Sequence, residues 1–70
     1  MKSWQTVFKT KLSHQAEIVK DILVGENIPA VVINQQDYAY KIGHFEVRVA
    51  SDDVMQAVRI IENDIQFDHE

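Results

Sequence analysis

Residues 28–49, IPAVVINQQDYAYKIGHFEVRV, contain two β-strand patterns joined by a long connection. The first pattern is apolar on both of its faces, with Ile28, Ala30 and Val32 on one face and Val31 and Ile33 on the other. The second pattern alternates between apolar and charged positions, so that Phe45, Val47 and Val49 are predicted to face a core while Glu46 and Arg48 face away. Helices that cover one face of this sheet would therefore leave aliphatic side chains on the other.

The connection between the two strands, NQQDYAYKIG from Asn34 to Gly43, is about twice as long as the two to five residues of a hairpin loop. We expect it to contain extra strand length beyond a tight turn. Tyr38 and Tyr40 would then point the same way, and tyrosine suits contact surfaces because it is large, stiff and half polar. A covering role at the end of the sheet is the alternative for one of them. Gly43 is predicted to mark a β-bulge or a close backbone approach.

A further strand precedes this region. Residues 3–10, SWQTVFKT, are rich in β-forming residues, although their alternation is imperfect. The larger apolar area predicts that Trp4 and Phe8 face the core and that Val7 faces away from it.

Two amphipathic helices are predicted around the strands. Residues 13–25, SHQAEIVKDILVG, form the first, with Ser13 as its N-cap and Gly25 ending it in the left-handed conformation. Its apolar stripe consists of Ala16, Val19, Ile22 and Leu23. Residues 51–64 form the second, capped by Ser51 or Asp52. Its stripe consists of Val54, Ala57, Val58 and Ile61.

The predicted order is β-α-β-β-α within a single domain, residues 1–70, and it indicates an α+β, ferredoxin-like split βαβ fold. Both helices would cover one face of an antiparallel sheet, and the third strand would be central. The tail, residues 65–69, predicts either a short C-terminal edge strand or a continuation of the second helix.

The composition excludes several classes of function. Eleven acidic and seven basic residues give a net charge of −4, which is unfavourable for binding nucleic acid. The absence of cysteine excludes disulfides, zinc–thiolate sites and thiol catalysis. No apolar run approaches the ~18 residues of a membrane span, and the first residues lack the apolar core of a signal peptide, so we expect a cytoplasmic protein without membrane contact.

No constellation of residues predicts catalysis or a cofactor. His14, His44 and His69 lack the spacing of metal ligands. Asp52 and Asp53 fit a helix start better than paired acid–base chemistry. We therefore expect a protein that is not an enzyme and has no catalytic, cofactor or metal site.

Several features together resemble a family of small bacterial proteins described as prokaryotic signal-transducing proteins, whose fold is similar to that of the nitrogen-regulatory PII proteins. The resemblance covers residues 4–61 and rests on Trp4, Val7, Ala16-Glu17, Gly25 with NIPAVVIN, Tyr40, Gly43 and FEVRV. It implies a PII-like fold and a role in signalling. The connection of residues 34–43 is much shorter than the PII loop and has Lys41 as its sole positive charge, so nucleotide binding does not carry over.

These observations favour a non-enzymatic regulatory or protein-interaction module that acts through the uncovered sheet face and the residue 34–43 hairpin. The predicted interaction residues are Val31, Ile33, Tyr38, Tyr40, Lys41, Glu46 and Arg48. The expected partner is a second copy, as a homodimer or trimer, or another protein, because three aliphatic side chains including Val7 would otherwise be exposed. The alternative is a small-ligand sensor, for a metabolite or nucleotide, with a site at a subunit interface.

Overall fold

A computed structural model describes residues 3–37 and 42–64 of the chain. Its elements are β1 (Trp4–Thr10), α1 (Ser13–Gly25), β2 (Ala30–Asp37), β3 (Ile42–Ala50), a 3₁₀ turn (Ser51–Asp53) and α2 (Val54–Asp64). The strands form an antiparallel sheet in the order β1-β3-β2, with β3 in the centre. The predicted β-α-β-β-α order and the α+β ferredoxin-like arrangement are confirmed. Within the described ranges, no helix is long and apolar enough to cross a membrane.

Both helices pack on one face of the sheet, and the core lies between them and the strands. Its buried members are Ala16, Val19, Leu23, Ile28, Val47, Val49 and Ala57. Ala30, Val32 and Phe45 pack against this cluster from the same face of the sheet. The predicted inward and outward faces of β2 and β3 are therefore confirmed.

A β-bulge at Val7 corrects the predicted faces of β1. Thr6 pairs with Arg48, but the next pairing joins Phe8 to Val47. Because the bulge adds one residue, Val7 and Phe8 both pack against the core, whereas Trp4 and Thr6 lie on the opposite face. The prediction for Phe8 is confirmed, and those that placed Trp4 inward and Val7 outward are wrong.

The start of α1 is organised by a residue that precedes it. Its N-cap is Leu12 rather than Ser13, and Leu12 makes no side-chain capping bond. Instead, the Thr10 hydroxyl accepts a hydrogen bond from the Leu12 N–H at 3.1 Å and donates one to the Gln15 Oε1 at 2.8 Å. The predicted Ser13 cap is therefore wrong, because the helix begins one residue earlier than a serine cap would require.

The end of α1 is a Schellman motif. The Ile28 N–H donates to the Leu23 carbonyl at 2.9 Å, and the Asn27 N–H donates to the Val24 carbonyl at 3.0 Å. Gly25 is the last helical residue, but the left-handed residue is Asn27, with a φ of 69°. The prediction that Gly25 is left-handed is wrong. Ile28 packs with Leu23 in the core and donates a hydrogen bond to its carbonyl, and this places the left-handed residue at Asn27, two residues after Gly25.

The β2–β3 ladder is uninterrupted from Ala30 opposite Val49 to Asp37 opposite Ile42, whereas the pairing of β1 ends at Thr10. The far ends of β2 and β3 therefore extend past β1 as a two-stranded ribbon, which confirms the extra strand length in the connection. Gly43 pairs regularly with Gln36, and a Cβ on it would lie 3.5 Å from the nearest described atom, an ordinary contact. The predicted bulge or close approach at Gly43 is wrong.

The 3₁₀ turn places the start of α2 later than predicted, at Val54, so that neither Ser51 nor Asp52 directly precedes the helix. The backbone N–H of Ser51 donates a hydrogen bond to the Ser3 carbonyl at 2.8 Å. The side chains of α2 in the core are Val54, Ala57, Ile60 and Ile61, so Ile60 takes the place predicted for Val58. The strand predicted in residues 65–69 lies outside the described residues.

Candidate functional site

The face of the sheet opposite the helices, here called the open face, collects side chains from all three strands. The register places ten residues on it: Trp4, Thr6, Lys9, Val31, Ile33, Gln35, His44, Glu46, Arg48 and Ala50. No helix in the described part of the chain packs on this face. It is therefore a surface of the sheet that the described helices leave uncovered.

A polar cluster occupies the centre of the open face. The Glu46 Oε1 accepts hydrogen bonds from the Thr6 hydroxyl at 2.7 Å and from Arg48 Nε and Nη2 at 3.0 and 2.8 Å. The Glu46 Oε2 accepts one from His44 Nε2 at 2.8 Å. The Thr6 oxygen in turn accepts from Arg48 Nε at 3.2 Å. Both carboxylate oxygens are thus engaged by donors from two strands.

These contacts fix the charge of Glu46. Its side chain is 10% exposed, and hydrogen bonds from His44, Thr6 and Arg48 lower its pKa to about 2, against a smaller opposing effect of desolvation. Among the described side chains, no buried nitrogen or oxygen lacks a hydrogen-bond partner. Glu46 is therefore ionised at neutral pH and already hydrogen-bonded through both oxygens, which does not suit a general acid or base.

Apolar side chains border the polar cluster. Trp4 is 47% exposed and Val31 is 40% exposed, while Ile33 is half-buried. Val31 lies opposite Arg48 and Ile33 opposite Glu46 in the ladder. The open face therefore combines an internally satisfied charge cluster with exposed aromatic and aliphatic surface.

The sequence located part of this site. The structure brings Val31, Ile33, Glu46 and Arg48 together on one face, whereas Tyr38, Tyr40 and Lys41 lie outside the described residues. Sequence reasoning missed two residues of the polar cluster, Thr6 and His44, and the exposed Trp4. His44 could have been found, because it alternates with Glu46 and Arg48 along β3. Thr6 and Trp4 reach the open face through the β-bulge, which the apolar pattern of β1 did not reveal.

Two shallow surface features lie apart from the centre of the open face. A depression of about 380 Å³ beside the end of β1 is lined by Lys9, Thr10, Lys11, Gly43 and His44. A groove of about 270 Å³ along α2 is lined by Val54, Met55, Val58, Arg59 and Glu62. Within residues 3–37 and 42–64, no group of three or more potential metal ligands comes together.

The comparisons with known proteins add no functional information. No family model matches the chain, and no match was found among curated proteins or among solved structures.

Proposed function

We propose that this protein is a non-enzymatic, cytoplasmic regulatory module that works by protein interaction, and that its open face binds a second copy of the chain. Its resemblance to the prokaryotic signal-transducing proteins supports the regulatory part of this proposal. Exposed apolar surface on both sides of the polar cluster carries the interaction part, with Trp4 on β1 at one side and Val31 and the half-buried Ile33 on β2 at the other. Removing such surface from water lowers the free energy of the associated state.

The polar cluster is compatible with burial at an interface. A charge that is buried without a hydrogen-bonded partner is costly. Here the donors to Glu46, namely Thr6, His44 and Arg48, all belong to the same chain. Docking would therefore require no new partner for this carboxylate, and the surrounding apolar side chains would provide the gain.

A second copy is favoured as the occupant because of the size of the domain. A domain of 70 residues without cysteine buries only about 60% of its unfolded surface and is marginally stable. Association with its own copies would add stability by mass action as the protein concentration rises.

The area of the open face indicates a weak dimer. The nine residues of β3 span roughly 30 Å, and three strands about 4.8 Å apart cover roughly 14 Å. Two such faces would bury roughly 800 Å², below the ~1,200 Å² of stable complexes. We therefore expect a concentration-dependent equilibrium rather than a permanent dimer.

Sedimentation equilibrium from micromolar to millimolar protein tests this proposal. We expect the average mass of the wild type to rise above the 8.1 kDa of one chain as concentration increases. Val31→Glu should stay at the mass of one chain, because it places a carboxylate in the apolar border opposite Arg48.

Met55→Glu is the matched control, since Met55 is 78% exposed on α2, in the other layer of the protein. This variant should associate like the wild type. A wild type that remains a single chain at millimolar concentration would contradict the proposal. Association of Val31→Glu that equals the wild type would contradict the assignment of the open face.

A further inference from the structure

The structure points to a second surface feature with a different chemistry, the depression lined by Lys9, Thr10, Lys11, Gly43 and His44, here called the lysine depression. We propose that it binds the phosphate group of a small molecule. The inference does not rest on the proposed self-association, because it comes from a local concentration of positive charge and not from the apolar border of the open face.

The charge of the lysine depression is opposite to that of the molecule. The chain has a net charge of −4, yet two ammonium groups and an imidazole line this one recess. The carboxylates of the helix layer include Glu17, Asp21, Glu26 and Glu62, on elements other than β1 and β3. Glu46 is the one carboxylate on β1 and β3, and it is hydrogen-bonded to Thr6, His44 and Arg48. The two ammonium groups therefore attract a small anion to this recess.

The two lysines are available for a ligand. Lys9 lies opposite Glu46 in the β1–β3 register, but the partners of that carboxylate are Thr6, His44 and Arg48. Neither Lys9 nor Lys11 forms an ion pair with any residue in the described ranges. Lys20, in contrast, contacts Asp21 at 3.0 Å and Glu17 at 3.6 Å. The first two ammonium groups can thus turn to a bound anion without breaking a described contact.

The shape of the recess arises from the topology. The pairing of β1 ends at Thr10 while β3 continues to Ile42, so that a step forms where the ribbon extends past β1. Gly43 lines this step and has no side chain to fill it. His44 is held in position by its 2.8 Å hydrogen bond to Glu46. The volume of about 380 Å³ lies at the lower end of the ~300–1,000 Å³ of small-molecule sites.

The ligand chemistry follows from the donors. Lysine ammonium groups bind phosphate as point charges with several donors each, and two of them can contact separate oxygens of one phosphate dianion. Because the recess is shallow and solvated, we expect weak binding of inorganic phosphate, with a Kd on the order of 1 mM. The affinity should fall with added salt, since both charges are exposed.

The test is an NMR titration of ¹⁵N-labelled protein with inorganic phosphate, at a protein concentration below that of self-association. We expect saturable shifts of the Lys9, Lys11, Gly43 and His44 amides. Lys9→Gln/Lys11→Gln should weaken binding by at least about tenfold, equivalent to about 1.4 kcal/mol.

Lys20→Gln/Arg59→Gln is the matched control, because it removes the same two positive charges elsewhere. It should keep the wild-type affinity. An equal loss in both double variants would mean a general charge effect and would overturn the site, as would the absence of saturable shifts in the wild type. Val31→Glu should retain the phosphate shifts even if it abolishes self-association, so the two proposals fail separately.

A parallel titration with a simple alkyl phosphate monoester distinguishes a phosphorylated metabolite from free phosphate as the ligand. Tighter binding than inorganic phosphate supports the site and a phosphorylated metabolite as its ligand. Equal affinity supports the site with free phosphate as its ligand. Alkyl phosphate that binds with shifts at unrelated amides and with no dependence on Lys9 and Lys11 would contradict the proposed recognition.

Discussion

Glu46 is the residue on which the charge of the open face depends. Its carboxylate accepts hydrogen bonds from His44, Thr6 and Arg48, which lower its pKa from 4.5 to about 2. A carboxylate whose pKa is lower in the folded state stabilises the fold fully above its unfolded pKa. That contribution is lost as the pH falls through the folded pKa.

We therefore expect part of the free energy of unfolding to disappear between about pH 4.5 and pH 2. Glu46→Gln should be less stable than the wild type at pH 7, and the difference between them should shrink toward pH 2. Urea unfolding at a series of pH values measures this. Glu17→Gln, which alters an exposed ion pair with Lys20, should change stability little at any pH. A constant difference between Glu46→Gln and the wild type would rule out the lowered pKa.

The end of α1 gives a second prediction at the level of single residues. Asn27 has a φ of 69°, whereas Gly25 has no positive φ, and a methyl group added to Gly25 would have no described atom within 4 Å. Asn27→Ala should destabilise the protein by about 1 kcal/mol, because alanine is strained in the left-handed region. Asn27→Gly should not destabilise it.

Gly25→Ala should be stabilising by roughly 0.5–1 kcal/mol, because alanine restricts the unfolded chain and fits a helical position. The urea unfolding midpoints of the three variants show which of the two residues, Asn27 or Gly25, has the left-handed conformation. If Gly25→Ala proved the more damaging change, the left-handed position would be Gly25, as the sequence alone predicted.

At the scale of elements, the β-bulge in β1 decides which side chains reach the open face. If Val7 were deleted, Thr6 and Phe8 would become consecutive residues. They could still pair with Arg48 and Val47, which are consecutive in β3. Deletion of Val7 should therefore preserve the register on both sides of the bulge. The expected cost is about 1–2 kcal/mol, from the loss of one half-buried valine side chain.

Cross-strand proton contacts between Thr6 and Arg48, and between Phe8 and Val47, measure the register in the deletion variant. Val7→Ala is the control, because it removes apolar volume and leaves the bulge in place. A deletion variant in which Trp4 moves into the core would show that the register of β1 depends on the extra residue.

At the scale of the whole molecule, Trp4 reports on association because it is the single tryptophan and lies on the open face. It is 47% exposed in one chain, so acrylamide should quench its fluorescence at low protein concentration. Self-association through the open face should protect it as the concentration rises. In Val31→Glu, the quenching should remain independent of concentration.

Equal quenching of the wild type at micromolar and millimolar protein would place Trp4 outside any interface. Met55→Glu serves as the control here too, since the α2 surface that it changes belongs to the other layer.

The amino-acid pattern by itself determined the order of the elements, the central place of β3 and the two faces of β2 and β3. Regular alternation has a period of two in a strand, so Val31, Ile33, Glu46 and Arg48 could be assigned to one face without coordinates. The tertiary structure decided what depends on a local departure from that period. The bulge at Val7 brings Trp4 and Thr6 to the open face, and the pairing of Ile28 with Leu23 places the left-handed residue at Asn27. The first outcome arises from the pairing of β1 with β3, which are distant in the sequence, and the second from hydrogen bonds and core packing at the end of α1. An apolar pattern along one segment contains neither.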